Sequence, residues 1–254
     1  MEELEALMAR LRGPDGCPWD REQTPLSLLP YTIEEAYEVA EAVETRNPVA
    51  WRDELGDLLF HVVFHSRIAQ EQGEFSLADV VAGVVEKMTR RHPHVFDPNG
   101  ERLAEAALVL GRWEEIKRQE KGESGGQVSV FDDINSRLPA LLWAAKVQRK
   151  MAQVGFDWKE PSGVIDKVHE ELAELQQAAD TDAREEELGD LLFTLVNLAR
   201  HLQINPESAL RRATRKFQDR FRFMEQRLHA DNRTPHEADL EELEALWQES
   251  KRAI

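Results

Sequence analysis

Two pairs of carboxylates in the second half of the chain have types and spacing that could do chemistry: Glu171 with Glu174, and Glu187 with Asp190. Residues three apart share one face of a helix, so each pair directs two acids the same way. Leu172 and Leu175 flank the first pair, and Leu191-Leu192-Phe193 follows the second. Turning those apolar residues inward brings four acids close to a low-dielectric interior, where unscreened carboxylates are costly. A hard divalent cation removes that penalty, and an all-oxygen ligand set selects magnesium or manganese. Gly189 interrupts the second helix between its two acids and lowers helix propensity there. Room for a neighbouring helix or a ligand would account for it. A lone Glu-Glu-x-x-Glu is more often a solvated helix face than a metal site. The second pair on a following apolar helix changes that balance.

Cations recur at helical spacing in the same half. Lys167 lies one turn before Glu171, Lys216 and Arg220 share a face, and Lys251 follows Trp247 by one turn. In an acidic chain such cations can pair with the carboxylates or grip a polyphosphate. Trp247 offers a ring that can stack on a base, although a tryptophan near a helix end usually packs into a core. A metal, phosphate-gripping cations and an aromatic platform together describe a nucleoside triphosphate site.

The elements that must position these groups are helices. Long segments rich in Glu, Ala, Leu, Arg and Lys carry apolar residues at three- and four-residue spacing. The periodicity predicts helices near 2–12, 26–46, 48–72, 76–92, 103–120, 136–152, 161–179, 184–203, 206–229 and 235–252. Asn47-Pro48 and Asn205-Pro206 mark starts, and Ser76 with Asp79 forms a capping pattern. The alternating run Gln127–Phe131 is the sole strand signal and is short. Lys121 to Gln127 is glycine-rich and polar, and it lacks the Gly-Lys-Ser/Thr ending of a phosphate loop. It reads as a linker.

An internal repeat organises the chain. Glu54-Leu55-Gly56-Asp57-Leu58-Leu59-Phe60 recurs identically from Glu187 to Phe193, and Glu34-Glu35-x-x-Glu38 recurs as Glu170-Glu171-x-x-Glu174. Lys87-x-x-x-Arg91 is matched by Lys216-x-x-x-Arg220, and Trp113-x-x-x-Lys117 by Trp247-x-x-x-Lys251. The order is kept while loop lengths vary, which is a duplicated domain and not a short-period solenoid. The expected division is a first repeat over 1–121, a linker over 122–130 and a second repeat over 131–254. A second, weaker metal set in the first repeat would be Glu35, Glu38, Glu54 and Asp57.

Composition bounds the partners. The 254 residues carry 49 acids against 32 bases, a formal charge of −17, so the basic footprint of a nucleic-acid binder is missing. Anionic membrane surfaces would repel such a chain. One cysteine, Cys17, excludes an intrachain disulfide. No apolar stretch is long enough to span a membrane, and the start has no signal-peptide pattern, so a cytoplasmic globular protein is expected.

Glu-Glu-x-x-Glu followed by Glu-x-x-Asp on the next helix resembles the signature of the all-α nucleoside triphosphate pyrophosphohydrolases. The tandem arrangement is similar to that of the MazG family, as are Cys17-Pro18-Trp19-Asp20, Arg90-Arg91-His92-Pro93-His94-Val95-Phe96 and Val154-Gly155-Phe156-Asp157-Trp158. The resemblance implies an all-α fold of two tandem helical repeats that assemble as four-helix bundles in a homodimer. It implies magnesium-dependent hydrolysis of NTPs or dNTPs to monophosphate and pyrophosphate. By matching positions, Glu171, Glu174, Glu187 and Asp190 would hold the metal. Lys167, Glu170, Glu171, Lys216, Arg220, Trp247 and Lys251 would hold the nucleotide. Glu170, Glu171, Glu174 and Lys216 would form the catalytic group. Glu170 points about 100° away from Glu171 on the helix, which suits an outer role or activation of water. The alternative is a helical regulator or dimerisation module that binds nucleotide without turnover; the intact acid quartet in both repeats favours the enzyme. Lys167 aligns with Tyr31, which has no charge for phosphate, so the second repeat is expected to dominate.

Other residues carry less. His61 and His65 are four apart, but no glutamate stands between them, so a core or interface role is expected. His92 and His94 flank Pro93 and read as a turn. No histidine has a glutamate three residues before it, which removes a di-iron carboxylate bundle.

Overall fold

A computed structural model of the chain describes residues 1–97, 109, 111–113, 116, 129–132 and 134–254. They form helices and turns with no strand among the described residues. Two compact units divide the chain, Met1–Gln127 and Val128–Ile254.

In the first unit, α1 (Glu2–Leu11), α2 (Pro18–Glu22), α3 (Pro25–Glu44), α4 (Pro48–Glu71), α5 (Leu77–Arg91) and α6 (Pro93–Phe96) follow one another. The α3–α4 hairpin is the principal pairing, and α1 and α5 pack on α4. Local chemistry fixes its ends. Thr24 and Ser27 make a reciprocal capping box for α3, and Asn47 Oδ1 accepts from the N–H groups of Val49 and Ala50 at 3.2 and 3.1 Å to start α4. Met8, Leu28, Val63, Phe64, Ile68 and Leu77 form the core.

The second unit repeats the hairpin. After α7 (Ala140–Gln153) come α8 (Pro161–Gln177), α9 (Thr181–His201), α10 (Pro206–Ala230), a 3₁₀ turn (Pro235–Glu237) and α11 (Leu240–Ala253). The α8–α9 hairpin is the main pairing, with α7 lying on α9 and α10. Asp180 Oδ1 accepts from Ala183 N–H at 2.9 Å and starts α9.

Several sequence expectations shift. The helix expected over 136–152 begins only at Ala140, because Pro139 disfavours helical backbone in the residue before it. The helix expected over 235–252 divides at Ala238 and Asp239, with the Asp239 side chain capping α11. Short α2 and α6, each opened by a proline, were not anticipated. The expected helix 103–120 and linker 122–130 lie largely outside the described residues, and the described end of the alternating run, Val130 and Phe131, is a turn.

Candidate active site

The two hairpins bring the repeated acids together. On α8 and α9, carboxylate oxygens of Glu171, Glu187 and Asp190 lie within 4.8 Å of one another; on α3 and α4, those of Glu35, Glu38 and Glu54 do the same. Glu174 and Asp57 stand outside these triplets yet act on them electrostatically. Glu187 is pushed above the usual carboxylate range by burial and then by the charges of Glu174, Glu171 and Asp190. Glu35 is pushed up by burial, Glu38, Asp57 and Glu54. Like charges that face each other raise a carboxyl in this way, and a cation placed among them reverses it. Glu35 Oε2 is also buried without a hydrogen-bond partner. Both sets therefore have the donor chemistry of a hard-cation site.

The two sites differ in their cationic neighbours. Lys167 Nζ contacts Glu171 Oε1 at 2.6 Å and donates to Glu170 Oε1 at 2.7 Å, and those two acids hold its ammonium well above the usual lysine range. Glu171 is 4% exposed, while Glu170 is exposed at the edge of the group. In the first unit Tyr31 packs edge-on against Trp19 with ring centroids 5.9 Å apart. An imidazole approaches instead: His61 Nε2 is 3.8 Å from Glu35 Oε1. Thr32 Oγ1 sits 3.1 Å from His61 Nδ1 and 3.0 Å from His65 Nε2, and burial lowers the basicity of both histidines.

A cavity of about 580 Å³ opens beside the second acid group. Lys167, Glu171 and Asp190 border it, and Met151, Phe156, Trp158 and Phe193 supply apolar wall. Gly155, at φ +84°, turns the chain after α7, and Phe156, Asp157 and Trp158 that follow it border the cavity. The turn is held by Asp157, which accepts from Arg200 Nη2 at 2.5 Å and contacts His201 Nε2 at 3.2 Å; burial opposes ionisation of Asp157, but these two partners win and hold its carboxyl low. The Trp158 ring lies where a side chain at Gly163 would begin, so the absence of one there lets the wall close.

Sequence reasoning missed Gln148, Thr194 and Asn197, which also line the cavity. It also grouped residues that this unit keeps apart. Lys216, Arg220, Trp247 and Lys251 lie on α10 and α11 and do not line the cavity. The Trp247 ring is 4.9 Å from that of Phe217, and the Arg220 guanidinium sits over it at 5.6 Å from the centroid. Lys216 is exposed, and Lys251 donates to Gln248 at 3.3 Å. In the first unit Trp113 meets His92 with ring centroids 4.7 Å apart, and Lys117 is outside the described residues.

A Cβ built at Gly56 or at Gly189 meets nothing within 4 Å, so among the described residues no helix makes the close approach that is one of the two uses expected for Gly189, and the other, room for a ligand, stays open.

The model of the MazG nucleotide pyrophosphohydrolase domain matches residues 23–96 and again 161–222, one match on each acid-bearing hairpin. The chain belongs to the MazG family. Relatives extend that likeness beyond the hairpins. The nucleoside triphosphate pyrophosphohydrolase/pyrophosphatase MazG of Thermotoga maritima is 48% identical over 250 residues, 98% of this chain and 95% of that protein. The nucleoside triphosphate pyrophosphohydrolase of Escherichia coli K12 is 47% identical over 259 residues, 99% of this chain and 97% of its own. Two MazG matches in a chain of helices make this an all-α member with tandem repeats. No helix among the described residues is long and apolar enough to cross a membrane.

Proposed function

We propose that the chain is a magnesium-dependent nucleoside triphosphate pyrophosphohydrolase, manganese substituting, and that its second unit does most of the work. The observation that carries this is the convergence of carboxylate oxygens of Glu171, Glu187 and Asp190 within 4.8 Å of one another, two of these residues bordering a cavity of about 580 Å³. Glu171, Glu174, Glu187 and Asp190 are the residues that would hold the cation. When bound there, a divalent cation neutralises the polyphosphate and polarises the α-phosphoryl oxygens. The reaction adds water to the α-phosphorus and breaks its bond to the α–β bridging oxygen, leaving nucleoside monophosphate and pyrophosphate. Lys167, one turn from the acids and against Glu170 and Glu171, is the cation that would hold a phosphate oxygen at this end of the site. Glu170, outside the metal set, is the candidate to take the proton of the attacking water. Lys216 and Arg220, with Trp247 and Lys251, lie outside the cavity lining, and we assign them to the nucleotide across a contact between two copies of the chain. The family likeness supports a homodimer, and a nucleotide substrate is in keeping with a cytoplasmic enzyme.

The first unit has weaker equipment. Phe64 follows Phe60 by four residues as Asn197 follows Phe193, and Phe64 is buried in the core where Asn197 borders the cavity. Tyr31 brings no charge to its acids. The test is product analysis with α- and γ-labelled ATP, with and without EDTA, for wild type, Glu38→Gln and Glu174→Gln. Expected are AMP and pyrophosphate, loss of turnover in EDTA, a drop on the order of 100-fold for Glu174→Gln and a small effect of Glu38→Gln. Nucleoside diphosphate with orthophosphate as products overturns the assigned bond. The reverse ranking of the two variants moves catalysis to the first unit.

A further inference from the structure

We propose that the first unit holds a borderline divalent transition metal of the zinc class, with His61 Nε2 as a nitrogen donor beside the carboxylates of Glu35, Glu38 and Glu54. The inference goes beyond the pyrophosphohydrolase reading and does not depend on it. His61 projects from α4 and is 8% exposed. Its two ring nitrogens have different neighbours. Nδ1 lies 3.1 Å from Thr32 Oγ1, whereas Nε2 faces Glu35 Oε1 at 3.8 Å, too far for a hydrogen bond.

The Thr32 hydroxyl fixes which nitrogen carries the proton. A hydroxyl has a single hydrogen to donate and otherwise accepts. The Leu28 carbonyl oxygen, 3.0 Å away, can only accept, so it takes that hydrogen. His61 Nδ1 and, at 3.0 Å, His65 Nε2 must then both bring N–H groups to the Thr32 oxygen. Neutral His61 is therefore protonated at Nδ1, and its Nε2 lone pair confronts a carboxylate. Two acceptors placed so repel unless a cation lies between them. A proton on Nε2 would satisfy this contact alone and leave Glu38 and Glu54 charged, with oxygens within 4.8 Å of Glu35's. A divalent cation satisfies the whole group.

The geometry and the donor set fit that cation. Bond lengths of roughly 2.0–2.2 Å set two donors on a tetrahedral zinc about 3.4 Å apart, so the 3.8 Å between His61 and Glu35 needs only a small side-chain adjustment. A hydrogen bond from the far ring nitrogen, here to Thr32, is the usual support of a metal-ligating histidine. Imidazole among carboxylates moves preference away from magnesium and towards zinc. The second unit lacks both parts of this device. Thr194 follows Phe193 as His61 follows Phe60, and Val168 precedes Glu171 by three residues as Thr32 precedes Glu35. The α8–α9 set is left all-oxygen, so the two repeats take cations of different class.

Cobalt(II) is the probe, because a low-coordinate site containing nitrogen absorbs visible light far more strongly than six-coordinate oxygen does. Co²⁺ added to the untagged full chain in excess Mg²⁺ should give a visible band, and Zn²⁺ should remove it. The band should persist in Glu187→Gln, which takes a charge from the second set, and vanish in His61→Thr, which installs the second unit's residue. Thr32→Val keeps every ligand but removes the group that orients His61, and should weaken Co²⁺ binding by roughly 10-fold or more. Absence of the band in wild type overturns the inference without any variant. So does a band that survives in folded His61→Thr or is lost in folded Glu187→Gln. If circular dichroism shows His61→Thr to be unfolded, Thr32→Val decides, and unchanged affinity there overturns the inference.

Discussion

Glu71 illustrates what a carboxylate experiences in this chain when cations, and not other acids, surround it. Arg12 Nη2 reaches Glu71 Oε2 at 2.7 Å, and Arg67 Nε donates to Oε1 at 2.8 Å. The Arg12 hydrogen bond is the largest influence and holds the Glu71 carboxyl below its ordinary value of 4.5. A lowered folded-state value means stabilisation that is present above the ordinary value and lost as pH falls through the folded one. Replacing Glu71 with Gln should therefore cost about 1 kcal/mol near neutrality, because a charge-assisted bond is lost and the largely buried Arg12 keeps only the backbone carbonyls of Asp20 and Gln23 as acceptors. The gap from wild type should narrow between about pH 7 and a pH well below the ordinary carboxylate value of 4.5, as the lowered Glu71 carboxyl takes up its proton. Thermal unfolding followed by circular dichroism at both pH values measures this, and a pH-independent gap refutes it. Glu35 and Glu187 have the opposite sign, since burial and neighbouring acids raise them and their ionisation opposes folding.

Helices α8 and α9 set the acids at their spacing, and Gly189 is the weak point of that arrangement. With nothing within 4 Å of the place a Cβ would take, Gly189→Ala should raise the stability of the isolated chain by roughly 0.5–1 kcal/mol through helix propensity alone. Urea unfolding of dilute protein reads this out; destabilisation would mean that another surface already presses on α9 there. The acid-bearing hairpins were legible because the same seven residues occur twice and because Asn47 announces α4, as Asn205 announces α10 beyond the second hairpin. The cavity was not legible. Gln148 and Asn197 are single polar residues on otherwise mixed helices, and they come to border one cavity only when α7 lies on α9. Helical spacing correctly put Lys216 with Arg220 and Trp247 with Lys251 on shared faces. Spacing carries no information on where a face points, and within this unit it is not toward the cavity. Likewise His61 and His65 read as core or interface residues, and His61 is buried and His65 half-buried, but the approach of His61 to Glu35 depends on how α3 meets α4.

At the scale of the whole molecule, α9 carries an apolar face that the described residues of its own unit leave exposed. Leu188, Leu192 and Leu195 are spaced by four and three residues, share one side of the helix and are 47%, 48% and 42% exposed. Leu55, Leu59 and Val62 repeat this face on α4 at 45%, 39% and 39% exposure. Single exposed leucines are ordinary, whereas a continuous helical stripe marks an interaction surface. Two such stripes paired by a two-fold axis would complete a four-helix bundle, the self-complementary arrangement that closed dimers use. Lys216 and Arg220, set outside the cavity of their own unit, give such a dimer a functional reason, since a second copy could present them to the phosphates. Wild-type protein should therefore sediment as a dimer at micromolar concentration, and Leu188→Asp with Leu192→Asp should shift it to monomer while the helical signal is kept. Turnover should fall with the dimer fraction. A stable wild-type monomer at that concentration overturns the assembly. A dimer that survives both aspartates places the contact on another face, and the route by which Lys216 and Arg220 reach the phosphates would have to be sought there.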